Sequence, residues 1–119
     1  MWKALLLKES LTDLGILADL HITHTEVWQI ENAAENQPST WTALTFEADD
    51  AKADGLAEAL CRVLHPRGWY LNGSTSEEVY VIFPHKVFKY RKGDEAEREA
   101  AKQFGRTIGI PERQLDWEE

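Results

Sequence analysis

Short apolar runs bounded by polar residues predict several β-strands near the start of the chain. The first run, Lys3 to Lys8, spans about six residues, which suits a buried strand better than a helix. Segments 21–30 and 41–46 are rich in threonine, valine, isoleucine and tryptophan, the residues that favour extended structure. These two segments predict an antiparallel hairpin whose strands are joined by a long loop at residues 32–40.

Three further strands are predicted in the second half of the chain. Residues 69–71 are predicted to form a short strand, and the polar stretch 72–78 is interpreted as a turn. Residues 79–83 are apolar on both faces, so this strand is expected in the middle of a sheet. Segment 86–91 predicts another strand.

Two segments have the periodicity of amphipathic helices. The first begins near Asp49 and Asp50, whose carboxylates suit an N-cap and the positive end of the helix dipole. The second begins at Asp94, which forms an Asp variant of the capping box with Glu97, and it ends at Gly109. The expected buried face of this second helix consists of Ala96, Ala100, Phe104 and Ile108.

The order of these elements predicts an α+β fold. One or two helical turns are expected within residues 10–20, and the C-terminal segment 110–119 is expected to fold back because it keeps Leu115 and Trp117 among charged residues. We expect a single domain, residues 1–119, built as a two-layer sandwich in which both helices pack on one face of a mainly antiparallel sheet. The specific expectation is a ferredoxin-like arrangement with an added hairpin.

Length, charge and cysteine content narrow the class of protein. A chain of 119 residues provides one core, and a net charge of −8 disfavours general binding to nucleic acid. The single cysteine, Cys61, lies in the first amphipathic segment and is interpreted as a small buried hydrophobe. No stretch has the apolar length of a membrane span, and the N-terminal apolar run is too short for a signal peptide, so a cytoplasmic location is expected.

The familiar catalytic and metal-binding patterns are missing from the sequence. The serines lack a nucleophile-elbow context, and no glycine-rich phosphate cradle is present. His21 and His24 are the closest histidine pair, but a separation of three residues on a strand sends them to opposite faces, where they cannot share one ion. We therefore predict no catalytic residue, no metal site and no cofactor.

Aromatic residues supply the first candidate site. The chain has five tryptophans, and Trp28 and Trp41 flank the predicted loop, where they can pair across the hairpin. If His24 shares their face, these three residues define a surface for a ligand or a protein partner, because aromatic residues are enriched at such surfaces.

A basic segment supplies the second candidate site. Lys86, Lys89, Arg91 and Lys92 are four of seven residues and alternate with aromatic rings, a combination that suits anions or single-stranded nucleic acid. The simpler interpretation is an edge strand whose lysines prevent sheets from joining, and this interpretation is favoured.

The leading functional hypothesis is a small cytoplasmic, non-enzymatic binding domain. Its partner would be another protein, a second copy of the chain, or a small ligand held between sheet and loop. The alternative is an anion or single-stranded nucleic-acid binder that uses segment 86–92.

Overall fold

A six-stranded antiparallel sheet forms the centre of the computed structural model, which describes residues 1–30, 38–66 and 69–117. The strands are β1 (Trp2–Leu7), β2 (His21–Gln29), β3 (Thr40–Ala48), β4 (Leu71–Ser74), β5 (Glu78–Phe83) and β6 (Lys86–Arg91). The helices are α1 (Ala53–Arg62) and α2 (Glu95–Thr107), and short 3-10 helices cover Lys8–Ser10, Leu14–Asp19, Asp50–Lys52 and Glu112–Gln114. The α+β class is therefore confirmed.

The strands lie in the order β2-β3-β1-β4-β5-β6, with every neighbouring pair antiparallel. The predicted hairpin of β2 and β3 is present, with Trp28 opposite Trp41. Most of the predicted loop, residues 32–37, lies outside the described residues. β1 lies between β3 and β4 and pairs with both. The connection from β3 to β4, which contains α1, therefore crosses over β1.

One sheet face, called the α1 face, carries a core of buried side chains beneath α1. Trp2 is fully buried there, between the rings of Phe46 and Tyr80 at centroid distances of 5.5 and 5.4 Å. Leu60 and Cys61 of α1 pack in the same cluster, and Cys61 is 4% exposed, as its interpretation as a buried hydrophobe predicted. Burying these apolar surfaces is the main force that holds α1 to the sheet.

The opposite sheet face, called the α2 face, carries a second core over β5 and β6. Val79, Val81 and Phe83 alternate with the β5 residues of the α1 face, so β5 is buried on both sides. The C-terminal segment packs here through Leu115 and Trp117, which are 2% and 4% exposed. The expectation that this segment docks is confirmed.

The helices therefore lie on opposite faces, and the expectation that both pack on one face of a two-layer sandwich is wrong. The physical reason lies in β5, whose two apolar faces each require a cover. The ferredoxin-like arrangement is not confirmed either. That topology needs a second β-α-β unit, whereas no strand follows α2 in the part of the chain that the structure describes.

Several local expectations also need correction. Asp49 makes no side-chain capping bond, and Asp50 instead lies 3.0 Å from the N-terminal amine. The short strand predicted at 69–71 begins at Leu71 and continues through residues expected in a turn, because β4 pairs with both β1 and β5.

The second helix has the predicted N-cap at Asp94, although the Asp94 N–H bonds to the Arg91 oxygen and not to Glu97, and its buried face only partly matches the prediction. Asp94 accepts a hydrogen bond from the Glu97 backbone N–H at 3.2 Å, and Gly109 follows the helix end with a φ of 89°. The buried residues are Ala101 and Gly105, with Phe104 and Ile108 partly buried, whereas Ala96 and Ala100 are exposed.

Candidate ligand-binding cavity

A cavity of about 650 Å³ opens on the α2 face, beside the C-terminal segment. Its floor includes Leu5 and Leu7 of β1, which are only partly buried. The lining is completed by Trp28, Gln29, Ile30, Trp41, Trp69, Tyr70, Leu71, Asn72, Arg113, Gln114, Asp116 and Trp117.

The cavity exists because the two halves of this sheet face are covered differently. Over β5 and β6, α2 and the docked C-terminal segment fill the space. Over β1 and β3, side chains of Leu5, Leu7 and Trp41 face the same side of the sheet, as their registers require. A recess remains between the C-terminal segment and the β2-β3 hairpin.

Tryptophan rings form the wall on the hairpin side. Trp41 lies with its ring centroid 5.4 Å from that of Trp69, at an interplanar angle of 57°. The Trp41 indole N–H donates to the backbone oxygen of Pro38 at 2.8 Å, which fixes the orientation of the ring. Trp28 is its register partner on β2 and is half-buried.

Tyr70 and Trp117 form the wall on the side of the C-terminal segment. Their ring centroids are 5.5 Å apart in an edge-on arrangement, and the Tyr70 hydroxyl donates to the backbone oxygen of Gln114. The Trp117 indole N–H donates to the Tyr90 hydroxyl at 2.9 Å, in a buried contact. The Arg98 guanidinium lies 5.6 Å from the centroid of the Trp117 ring. This wall is therefore held by hydrogen bonds as well as by packing.

The polar side chains of the cavity lining include a phenol, amides and one charged group of each sign. Burial, with a contribution from the Asp116 carboxylate, raises the pKa of the Tyr70 phenol well above its usual range, so this hydroxyl stays protonated. Arg113 and Asp116 are exposed, while Asn72 and Gln114 are half-buried. Among the described residues that line the cavity there is no serine, threonine, cysteine, histidine or lysine, and Asp116 is the one carboxylate.

The first predicted site is partly assembled around this cavity. Trp28 and Trp41 line it, whereas His24 lies on the same sheet face but outside the lining. A short chain of contacts links His24 to the cavity: its Nε2 atom lies 3.1 Å from Glu26 Oε1, and the Trp28 indole N–H donates to Glu26 Oε2 at 3.1 Å.

The expected placement of the histidines is wrong. A bulge between Ile22 and His24 shifts the register, so His21 lies opposite Glu47 and His24 lies opposite Thr45. Since Glu47 and Thr45 are two residues apart on β3, both histidines point to the same face. No group of three or more potential metal-ligating side chains occurs within residues 1–30, 38–66 and 69–117.

The sequence missed Trp69, Tyr70 and Trp117 as members of a site. In the sequence, each of them looks like an ordinary core residue. The one feature that pointed to an aromatic site was the unusual number of tryptophans for a chain of this length. Long-range contacts bring these rings together: Tyr70 meets Trp117 of the C-terminal segment, and Trp69 packs on Trp41 of β3.

The second predicted site lies on β6, at an edge of the sheet, where the edge-strand interpretation placed it. Its cations do not converge. Lys86 lies 5.3 Å from the Phe88 ring centroid, Lys89 pairs with Asp54 at 3.3 Å on the α1 face, and the Arg91 guanidinium lies 3.7 Å from a Glu77 oxygen.

Comparison with protein-family models, with curated proteins and with solved structures gives no match to this chain. Within the described residues, no helix has the length and apolar character needed to cross a membrane.

Proposed function

We propose that this protein binds a small, largely apolar molecule with a planar ring in the cavity of the α2 face and does not transform it chemically. The observation that carries this proposal is the lining itself. Five aromatic side chains surround a space of about 650 Å³: Trp28, Trp41, Trp69, Tyr70 and Trp117.

The volume suits a molecule of metabolite or drug size, because ligand cavities usually measure about 300 to 1,000 Å³. Aromatic walls favour planar rings, which stack on or meet the edge of tryptophan and tyrosine at centroid distances of about 4.5 to 7 Å. Asn72 and Gln114 supply the amide groups that orient such a ligand through hydrogen bonds. Arg113 and Asp116 supply opposite charges at exposed positions of the lining.

The tryptophans provide a direct test by NMR. We would titrate ¹⁵N-labelled protein with indole and, separately, with 8-anilinonaphthalene-1-sulfonate while following the indole N–H signals. The signals of Trp28, Trp41 and Trp69 should shift together and saturate. The Trp2 signal should stay in place, because that ring is buried on the α1 face.

Two variants locate the binding. Leu5→Trp should fill the floor of the cavity and abolish the saturable shifts, and Trp28→Ala should weaken binding by about tenfold through loss of one wall. The matched control is Val27→Ala, since Val27 is the neighbouring residue of β2, is 63% exposed and turns to the other sheet face. Absence of saturable shifts with both probes, or equal shifts of Trp2, would overturn the proposal.

The alternative of an anion site at residues 86–92 has weaker support. An anion would have to compete with Asp54 and Glu78 for Lys89 and with Glu77 for Arg91. A titration with a short single-stranded oligonucleotide at low salt separates the two ideas. Shifts confined to residues 86–92 that fade as salt rises would favour the anion site over the cavity.

A further inference from the structure

The two edges of the sheet differ in how they resist pairing with another strand. The β6 edge carries Lys86, Lys89 and Arg91 within six residues, a common device against edge-to-edge association. The β2 edge runs for nine residues without lysine, arginine or proline, and it includes Val27 with 63% of its surface exposed. Within the described residues, β3 is the one strand that pairs with β2.

The backbone of β2 is oriented for a partner at this open edge. The Ile30 N–H donates to the Ser39 oxygen on the β3 side at 2.7 Å. Backbone groups alternate in direction along an antiparallel strand, so the N–H and C=O groups of Thr25 and Val27 point away from β3. These groups can form an antiparallel ladder with a second strand.

The side chains of β2 are complementary to a second copy of β2. An antiparallel pair related by a two-fold axis at Thr25 places His24 of one protomer opposite Glu26 of the other, and the reverse pair forms at the same time. Both residues are more than half exposed and already lie 3.1 Å apart within one chain. The two-fold arrangement therefore interleaves two histidines and two carboxylates on one sheet face.

We propose that the protein forms a homodimer by antiparallel pairing of β2 with β2, centred on Thr25. The bulge between Ile22 and His24 limits the ladder to residues 23–27. So short a ladder is expected to bury less than about 1,200 Å² in total, which is typical of weak and reversible association.

Sedimentation equilibrium over about 10 µM to about 1 mM protein tests this proposal, because weak interfaces dissociate in that range. The wild-type mass should rise with concentration from 13.6 kDa towards twice that value. Thr25→Pro removes an N–H that points to the open edge, so it should raise the dissociation constant by about tenfold or more while leaving the β2-β3 ladder intact. Thr25→Val is the matched control and should still dimerise, because it keeps the N–H and the branched side chain.

Charge substitutions provide a second test that does not alter the backbone. His24→Glu should weaken the dimer by placing carboxylates opposite each other across the two-fold axis. Adding Glu26→Lys to it should restore association, because each carboxylate at position 24 then lies opposite an ammonium group at position 26. A wild-type protein that stays monomeric over the whole range would overturn the proposal. A dimer that neither Thr25→Pro nor His24→Glu weakens would also overturn it, because that dimer would use another surface.

Discussion

Replacing Gly73 with alanine adds one methyl group at a tight contact between β4 and β1. A Cβ atom at this position would lie 2.6 Å from the Ala4 Cβ, 2.8 Å from the Lys3 backbone oxygen and 2.9 Å from the Trp2 Nε1. Backbone and Cβ atoms cannot rotate away as the end of a long side chain can. The two strands must therefore separate, although their pairing comprises only three residue pairs.

Two opposing effects set the size of the change. Inserting a methyl group into a well-packed site typically costs about 1 to 3 kcal/mol. Alanine also restricts the unfolded chain more than glycine does, which favours the folded state by about 0.4 to 1 kcal/mol where the native conformation is compatible. The clash is the larger effect, so Gly73→Ala should lower the free energy of unfolding by about 1 to 2 kcal/mol.

Urea denaturation followed by tryptophan fluorescence measures this change, and Gly55→Ala is the matched control. A Cβ at Gly55 in α1 meets nothing within 4 Å, so this variant should gain up to about 1 kcal/mol from helix propensity. The same chemical substitution should thus change stability in opposite directions at the two positions. Equal or greater stability for Gly73→Ala, with an unchanged dependence on urea, would refute the reasoning.

Three further predictions concern the C-terminal segment, the α2 cap and acid stability. Leu115→Ala should lower the free energy of unfolding by about 2 to 5 kcal/mol in urea denaturation, because the side chain is 2% exposed in the α2 core. Asp94→Ala should cost about 1 kcal/mol in the same assay through loss of the bond to the Glu97 N–H, and Asp94→Asn should retain most of the stability. Burial raises the pKa of Glu9, but hydrogen bonds from the Thr42 N–H and hydroxyl together outweigh it and hold the pKa below its usual 4.5. The resulting stabilisation is present above pH 4.5 and is lost as pH falls through the lower folded-state pKa, so Glu9→Gln should flatten the acid limb of a stability-against-pH curve.

Local periodicity accounts for what the sequence predicted well. Both helices, the stop at Gly109 and the strands other than β4 depend on neighbouring residues, whose spacing is visible in one chain. Which sheet face each helix covers is a long-range question that the amphipathic patterns of α1 and α2 do not answer. The better guide was β5, because a strand that is apolar on both faces requires a cover on both.

The wrongly predicted faces of α2 and β2 also have physical explanations. Helical spacing is compatible with either of two buried faces on α2, the predicted one and the observed one. The observed face contains Gly105, whose missing side chain leaves room for Leu115 of the docked segment. A Cβ on Gly105 would lie 2.7 Å from the Leu115 Cδ2 atom. In β2, one extra residue at the bulge turns His21 and His24 to the same face. Strict alternation of side chains along a strand does not predict where such a bulge occurs.

The cavity shows why sequence patterns identify only part of a site. Trp28 and Trp41 could be found because a hairpin brings them opposite each other, whereas Trp69 reaches Trp41 through the pairing of distant strands and Trp117 reaches the cavity through the docked C-terminal segment. The same docking leaves Leu5 and Leu7 of the central strand incompletely covered on the α2 face. These leucine side chains are partly in contact with water. An apolar ring that displaces this water lowers the free energy of the system. This decrease in free energy is the physical reason to expect a ligand in the cavity.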